Sequence, residues 1–225
     1  MKTVLSTKIL TLPQKELLLN AGIGLVEYNA LEIDFINFEL PKDFNHIIVT
    51  SKNGAKAFLN VFKATKEKRT KEGYRLYCVG EKTRTFLQEF GFKVIQSSLN
   101  SSELGMYISN NHKTDKFIFI SGNLRREELP LQLSKNNVRY EEIEGYRTTF
   151  RKKKFSGFFD GFLFFSPSGI RSFANENTIP KSPIFCIGET TASEAKKYSP
   201  YIVVAHRPTV ENVLVHVVKH FKEHA

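Results

Sequence analysis

The sequence predicts an α/β protein built on parallel strands. Short apolar runs recur along the chain, and each is followed by a turn rich in Gly, Ser, Thr or Asn and then by a segment with helical apolar spacing. Parallel strands need a long crossover connection, which is usually a helix. Regular alternation of strand, turn and helix therefore favours parallel sheets with helices packed on their faces.

The clearest strand and turn lie at residues 117–123. Residues 117–120 are apolar without alternation, which is typical of a strand covered on both faces. Ser121, Gly122 and Asn123 then supply turn chemistry. This segment predicts a βα unit whose turn leaves backbone N–H groups unpaired at the start of a helix.

A helix is predicted directly after this turn, because Leu124, Leu129 and Leu133 fall at helical spacing. Arg125 and Arg126 would then lie in the first helical turn, where the helix dipole makes cations mildly unfavourable. An anionic ligand would offset that cost. The alternative is a plain βα unit with solvated arginines.

The other elements follow the same order along the chain. Strands are predicted at residues 4–7, 23–28, 47–50, 76–79 and 93–96, and helices at residues 13–20, 55–62, 85–90 and from residue 103. Residues 29–36 are extended and lack helix signals, which indicates a connection.

The second half of the chain repeats the first, which predicts two copies of one flavodoxin/Rossmann-like fold. Matched residues recur at a nearly constant separation, each after an apolar strand. The pairs include Ser51 and Ser166, Gly54 and Gly169, Cys78 and Cys186, Gly80 and Gly188, and Thr83 and Thr191. Chance similarity between generic βα units is the alternative.

The duplication divides the chain into four blocks, in the order A, B, A′ and B′. Connector lengths favour pairing the two middle blocks, B and A′, into an inserted domain. The link between those blocks is brief and polar, whereas the other joins are longer extended segments that would cross between the domains as a two-stranded β linker. The predicted domains are residues 37–143, inserted, and residues 1–32 with 150–225, discontinuous, with crossings at residues 33–36 and 144–149.

Composition indicates a globular protein with an anionic partner. The chain has 225 residues, 41% of them hydrophobic, and a formal net charge of +10. The densest basic runs, residues 63–71 and 151–154, lack interleaved aromatic residues that stack on bases, so solvated surface is favoured over a nucleic-acid partner. No apolar stretch is long enough for a membrane span, and we expect no membrane partner.

The two cysteines indicate the cellular compartment. Cys78 and Cys186 lie within apolar runs and have no metal-like spacing, so buried thiols in a reducing, cytoplasmic environment are expected. Gly-x-Gly-x-x-Gly, Walker-type and His-Glu-x-x-His motifs are absent from the sequence, which does not support a nucleotide or metal cofactor.

Ligands of parallel α/β sheets bind beyond the carboxyl ends of the strands, where the turns lead into helices. Those turns would offer hydroxyl and backbone donors suited to several anionic groups. Tyr146 follows the second domain along a crossing segment and could donate a proton to a leaving group. A packed interdomain aromatic is the alternative role for Tyr146.

Several motifs, in order and spacing, resemble the uroporphyrinogen-III synthase family. They are Thr50-Ser51-x-x-Gly54, Val79-Gly80-x-x-Thr83, Ser121-Gly122-Asn123-Leu124-Arg125-Arg126-Glu127, Tyr146-x-Thr148, Phe164-Phe165-Ser166-Pro167-Ser168-Gly169, Ile187-Gly188-x-Thr190-Thr191-Ala192 and Pro208-Thr209. The resemblance implies a monomeric two-domain enzyme with its site between the domains and no cofactor. The implied reaction cyclises the linear tetrapyrrole hydroxymethylbilane to uroporphyrinogen III, with loss of water and inversion of ring D.

The resemblance also implies roles for individual residues. Tyr146 matches the tyrosine proposed to assist departure of the hydroxyl. The expected substrate-binding residues are Ser51, Lys52, Thr83, Ser121, Gly122, Asn123, Arg125, Ser166, Ser168, Gly169, Thr190 and Thr191. Lys52-Asn53 departs from the residues that relatives often have in this turn. A two-domain module that binds a polyanionic small molecule is the alternative function.

Overall fold

The structure is a computed structural model that describes residues 1–41, 43–65, 70–179 and 181–223. Residues 66–69 of the basic run at 63–71 lie outside the described residues. The strands are β1 (Thr3–Ser6), β2 (Gly24–Glu27), β3 (Leu31–Phe35), β4 (His46–Val49), β5 (Arg75–Val79), β6 (Val94–Ser98), β7 (Lys116–Gly122), β8 (Arg139–Phe150), β9 (Gly161–Phe164), β10 (Ile184–Cys186) and β11 (Ile202–Val204). The α-helices are α1 (Leu12–Leu19), α2 (Lys52–Ala64), α3 (Glu81–Glu89), α4 (Ser101–Asn111), α5 (Glu128–Lys135), α6 (Pro167–Ala174), α7 (Glu189–Ala195) and α8 (Val210–Glu223). Within the described ranges, the helices lack the length and apolar content that a membrane span requires.

The chain divides into two compact units. The first unit is Met1–Glu32 with Thr149–Ala225, and the second unit is Ile33–Thr148. The chain passes from one unit to the other within β3 and within β8, which are neighbours in one sheet. The connection expected at residues 29–36 therefore contains a strand.

The two sheets share one strand order. The five-stranded sheet of the first unit runs β11-β10-β9-β1-β2, and the six-stranded sheet runs β3-β8-β7-β4-β5-β6. Reading β9, β10, β11, β1 and β2 as the counterparts of β4, β5, β6, β7 and β8 makes the five-strand orders identical. The strand pairs of this shared order are parallel, such as β4 with β5 and β9 with β10. The edge strand β3 runs antiparallel to β8, because the Ile36 N–H donates to the Gly145 carbonyl and the Arg151 N–H donates to the Ala30 carbonyl. The predicted fold class, two similar parallel α/β domains, is confirmed.

Each sheet buries both of its faces. On β4, Ile47 and Val49 belong to one apolar cluster and Ile48 belongs to another. Successive side chains of a strand point to opposite faces, so a strand without polar alternation must be covered on both sides. Full burial of each such aliphatic side chain stabilises the fold by about 1.5–3 kcal/mol. The first unit repeats this arrangement on β9, where Leu163 lies on the opposite face from Phe162 and Phe164.

The helix predicted directly after Asn123 begins later than expected. α5 starts at Glu128, so the prediction that Arg125 and Arg126 occupy a first helical turn is wrong. Pro130 is the physical reason: proline is tolerated in the first turn of a helix, whereas a helix begun at residue 124 would place it in the interior. The Arg125 N–H instead donates to the Gly122 carbonyl at 3.0 Å and closes a turn.

Both cysteines are free thiols within central strands, Cys78 on β5 and Cys186 on β10. Burial raises the pKa of Cys186 to about 12 and also raises that of Cys78. We expect native protein at pH 8 to react with Ellman's reagent only at the rate of unfolding, because the thiolate is the reactive form. Denatured protein is the control and should release two equivalents at once. Rapid labelling of native protein would contradict this burial.

Candidate active site

The turn between β4 and α2 places Ser51 at the start of the helix. Ser51 has extended backbone dihedrals, and its hydroxyl oxygen accepts a hydrogen bond from the Gly54 N–H at 3.0 Å. Ser166 caps α6 in the same way and accepts from the Gly169 N–H at 3.0 Å. The repeated Ser-x-x-Gly pattern is thus a repeated N-cap, which leaves other helix-start N–H groups open to an anion.

The hydroxyl of Tyr146 lies 2.9 Å from the Ser51 hydroxyl, and either group can donate. Since the Ser51 oxygen already accepts from the Gly54 N–H, its own proton is available for Tyr146. In that arrangement the Tyr146 proton is free for a ligand. We call these two residues the Ser51–Tyr146 pair.

A β-bulge in β8 brings Tyr146 to this position. Ser121 of β7 pairs with Glu144, and the next residue, Gly122, pairs with Tyr146, so Gly145 is the extra residue. Bulges redirect side chains, and they recur beside active sites. A Cβ on Gly145 would lie 2.6 Å from a methyl carbon of Ile120. Only glycine fits this bulge without displacing its neighbours.

Close packing at Gly122 completes the geometry. A Cβ on Gly122 would lie 2.4 Å from two ring carbons of Tyr146. Real Cβ atoms do not approach other atoms this closely, so glycine is what lets the Tyr146 ring lie against β7. The Ser51, Gly122 and Tyr146 motifs, far apart in sequence, therefore form one contiguous structure.

Arg125 lies beside this structure in a carboxylate-rich pocket of about 430 Å³. Its Nε and Nη2 atoms donate to the two oxygens of Glu142, with the Nη2 contact at 2.9 Å, and its Nη1 lies 2.5 Å from Glu127. The hydrogen bond to Glu142 raises the pKa of Arg125 further above its ordinary value. Ser121 also donates to Glu142, at 2.7 Å. Glu142 and Glu127 therefore balance the positive charge of Arg125.

Asn123 holds the loop after β7 against β8. Its amide nitrogen donates to the Thr148 carbonyl at 3.1 Å, and its amide oxygen accepts from the Thr148 N–H at 2.8 Å. Both polar atoms of the side chain have partners, so Asn123 positions this loop.

A second pocket, of about 350 Å³, lies at the carboxyl ends of the strands in this unit. Its polar lining includes Ser51, Tyr146, Arg125, Arg126, Asn100 and Ser101. Asn100 caps α4 by accepting from the Glu103 N–H at 2.9 Å. Sequence reasoning missed Asn100 as a site residue, although its cap pattern was a local signal, and missed Glu142, which has no local signal.

The other predicted residues of the second unit lie at its helix starts. Lys52 is exposed at the first position of α2, and its Nζ lies 4.7 Å from the centre of the Phe86 ring. Thr83 lies in the first turn of α3 and is only 5% exposed. Thr83 is thus available to a ligand only after local movement.

Five predicted residues lie in the first unit. Ser166, Ser168 and Gly169 follow β9, where Ser168 accepts from Arg171 Nη2 at 3.3 Å. Thr190 and Thr191 lie in the first turn of α7, Thr190 exposed and Thr191 only 3% exposed. They occupy the carboxyl edge of their own sheet, as the Ser51 turn does in the second unit.

Comparison with known proteins gives one consistent family. The family model described as uroporphyrinogen-III synthase HemD matches residues 14–214. The porphyrin biosynthesis protein HemD of Ruminiclostridium josui is 24% identical over an alignment of 243 positions, which covers 95% of this chain and 48% of that protein. The chain thus spans about half the length of this curated relative.

Two solved structures share the fold. The uroporphyrinogen-III synthetase of Helicobacter pylori matches with a TM-score of 0.77 at 18% identity, over 98% of this chain and all of that chain. A mutant uroporphyrinogen III synthase of the thermophilic bacterium Thermus thermophilus matches with a TM-score of 0.68 at 11% identity, over 99% of this chain and all of that chain.

Replacing Gly122 with alanine tests the close packing beneath Tyr146. The new Cβ would force the ring away from β7, and overpacking of this kind costs about 1–3 kcal/mol. We expect urea unfolding to show a loss of that size for Gly122→Ala. Gly73→Ala is the control, because its Cβ would meet nothing within 4 Å. Equal stabilities for the two variants would mean that the ring moves without cost.

Proposed function

The chain belongs to the uroporphyrinogen-III synthase HemD family, and from this premise we propose that it is a carbon-oxygen lyase that cyclises hydroxymethylbilane. The product would be uroporphyrinogen III, in tetrapyrrole (haem) biosynthesis. The observation that carries this proposal is the Ser51–Tyr146 pair, because a proton donor there lies beside the start of α2 and next to Arg125. A proton donor and a cationic anchor are groups that would assist loss of a hydroxyl from a polycarboxylate.

The proposed substrate matches the charge of the protein. A linear tetrapyrrole with eight carboxylates is a flexible polyanion, and the protein carries a formal net charge of +10. Helix starts at Ser51 and Asn100 offer backbone N–H groups, and the positive ends of the helix dipoles favour negative charge there. Several such contacts would fix the chain of rings before ring closure, which lowers the entropic part of the barrier.

Tyr146 is the proposed general acid. Its proton would pass to the leaving hydroxyl, the carbon–oxygen bond would break, and water would depart. Ring D would then attack the carbon that lost the hydroxyl through its own substituted carbon, which forms a spiro intermediate. The older bond from that substituted carbon to the ring C bridge would break and re-form at the free α-carbon of ring D, which inverts the ring. The hydrogen lost from this α-carbon would return to Tyr146 as a proton. Ser51 would hold the Tyr146 oxygen in place by donating to it across 2.9 Å.

Arg125 is the proposed anchor for a substrate carboxylate. Its partners Glu142 and Glu127 are themselves carboxylates, so a substrate group would replace one anion by another of the same geometry. The displaced partner would be Glu127, whose side chain is 67% exposed and can be solvated after the exchange. The remaining proposed substrate-binding residues keep their assignment from the family resemblance: Lys52, Thr83, Ser121, Gly122, Asn123, Ser166, Ser168, Gly169, Thr190 and Thr191.

We further propose that the enzyme works without a cofactor, as a monomer in the cytoplasm. The free thiols Cys78 and Cys186 suit a reducing compartment. Both members of the Ser51–Tyr146 pair come from one chain. Sedimentation equilibrium should therefore give the mass of a single chain, and a stable dimer would contradict this proposal.

The Tyr146→Phe variant tests the general acid. It keeps the ring against Gly122 and removes only the hydroxyl, so folding should be nearly unchanged. A positioned acid is worth about 100- to 10,000-fold, and we expect turnover of fresh hydroxymethylbilane to fall by at least about tenfold. Because ring placement depends on other groups, the product should still be the type III isomer.

Tyr140→Phe is the matched control, because this hydroxyl also lies on β8 but contacts Ser134 at 3.3 Å. It should retain wild-type turnover. Wild-type turnover in Tyr146→Phe would leave Tyr146 a packing role only, and mostly type I product would mean that it positions the ring. Binding of the substrate by the wild-type protein, with only the spontaneous type I isomer formed, would favour a polyanion-binding module over an enzyme.

The Arg125→Ala variant tests the carboxylate anchor. Loss of one charge-assisted hydrogen bond costs about 1.5–3 kcal/mol, so KM should rise by about 10- to 150-fold while kcat changes little. Arg139→Ala is the control, because it removes the same charge from an exposed position at the other end of β8. Equal KM values for the two variants would show that Arg125 serves only its glutamate partners.

A further inference from the structure

Two histidines and an aspartate meet in the second unit, apart from the Ser51–Tyr146 pair. His46 is the first residue of β4, His112 directly follows α4, and Asp115 directly precedes β7. These positions lie at the amino ends of β4 and β7, whereas Ser51 lies beyond the carboxyl end of β4. The cluster is therefore at the opposite edge of the sheet from the candidate active site.

The three side chains are close enough to share one ion. Asp115 Oδ2 lies 2.9 Å from His112 Nδ1 and 3.6 Å from His46 Nδ1. One ligand atom from each residue falls within 4.8 Å of the other two. Tetrahedral zinc, with bonds of about 2.0–2.2 Å, keeps its ligand atoms about 3.3–3.6 Å apart. Small rotations of the side chains would bring the three ligand atoms to these separations.

We propose that His46, His112 and Asp115 bind one divalent transition-metal ion, with Zn²⁺ as the best match. Two imidazoles and one carboxylate are ligands that zinc accepts, and three protein ligands leave a fourth position for water. Calcium and magnesium prefer sites made of oxygen atoms, so the two imidazoles disfavour them.

The surroundings hold the ligands in place and leave a way in. His46 is only 4% exposed, whereas the side chains of His112 and Asp115 are 20% and 34% exposed. The Phe117 ring packs edge-on against both His46 and Tyr77, with centroid distances of 5.2 and 5.3 Å. An ion would enter past Asp115 and meet a buried, fixed imidazole.

Two further groups touch the histidines. The Tyr77 hydroxyl lies 3.2 Å from His46 Nδ1 and 3.4 Å from His112 Nε2. When His112 binds metal through Nδ1, its Nε2–H would donate to Tyr77, an outer contact typical of metal-bound histidines. Arg75 Nη1 lies 3.5 Å from His46 Nε2, which would then carry a proton. Arg75 is exposed, so its side chain has room to turn outward.

The ion would link the α4–β7 connection to the start of β4. Metal ligation that joins separate segments adds binding free energy to folding free energy. The expected consequence is higher thermal stability with zinc, independent of the reaction proposed for the other edge of the sheet.

The test uses the full chain, stripped with a chelator and freed of any affinity tag. Titration calorimetry with Zn²⁺ should show one site, Co²⁺ should give the visible absorption of a tetrahedral complex, and zinc should raise the melting temperature reversibly. Removing an outer contact of a metal site costs about 10- to 100-fold in affinity, so His112→Gln and Asp115→Asn should each cost at least about 100-fold.

The His206–His216 pair supplies the control. These rings lie 4.5 Å apart in the first unit, and His216→Gln should leave the zinc affinity unchanged. Because both ligand variants change partly exposed residues, their circular dichroism should show a folded chain. Zinc affinity that survives His112→Gln and Asp115→Asn, or that is lost in His216→Gln, would overturn the proposal and leave the cluster a hydrogen-bonded network.

Discussion

Burial of both faces of the parallel strands dictates where the helices lie and where the candidate active site forms. Ile47 and Val49 pack on one side of β4 and Ile48 on the other, so helices must cover both sides. Each strand then leads through a turn into a helix, and parallel strands bring those turns to one edge. Unpaired helix-start N–H groups and small polar side chains gather there as a result.

Backbone packing, more than any single polar contact, shapes the candidate active site. The bulge at Gly145 turns β8 so that Tyr146 faces β7, and Gly122 leaves the space that its ring occupies. Ser51 can then cap α2 and hold the Tyr146 hydroxyl with the same oxygen atom. A site built on strands and a helix cap is held more precisely than one carried by a free loop.

The distribution of charge at the site differs from that of a simple basic surface. Arg125 lies in the connection between β7 and α5, yet Glu142 and Glu127 already balance its charge. Exchange of one carboxylate for another offsets part of the free energy of substrate binding, because an existing ion pair must be broken before the new one forms. Binding of a polyanion would therefore draw on several contacts together, which favours a ligand with many carboxylates in the correct arrangement.

The elements and the duplication can be predicted from local sequence. Unbroken apolar runs predicted the buried strands, and turns rich in Gly, Ser, Thr or Asn before segments of helical spacing predicted the helices, because both signals depend on neighbouring residues. Pro130 is also a local signal, because proline is tolerated in the first turn of a helix and so indicates that α5 begins close to it.

Which side chains meet depends on how separate elements pack against one another. The pairing of Arg125 with Glu142 and the cluster of His46, His112 and Asp115 join residues from separate elements. The contact of Tyr146 with Ser51 depends on a one-residue shift in the register of β8. Strand register is set by side-chain packing across the sheet, and a shift of one residue reverses the face on which every later side chain lies.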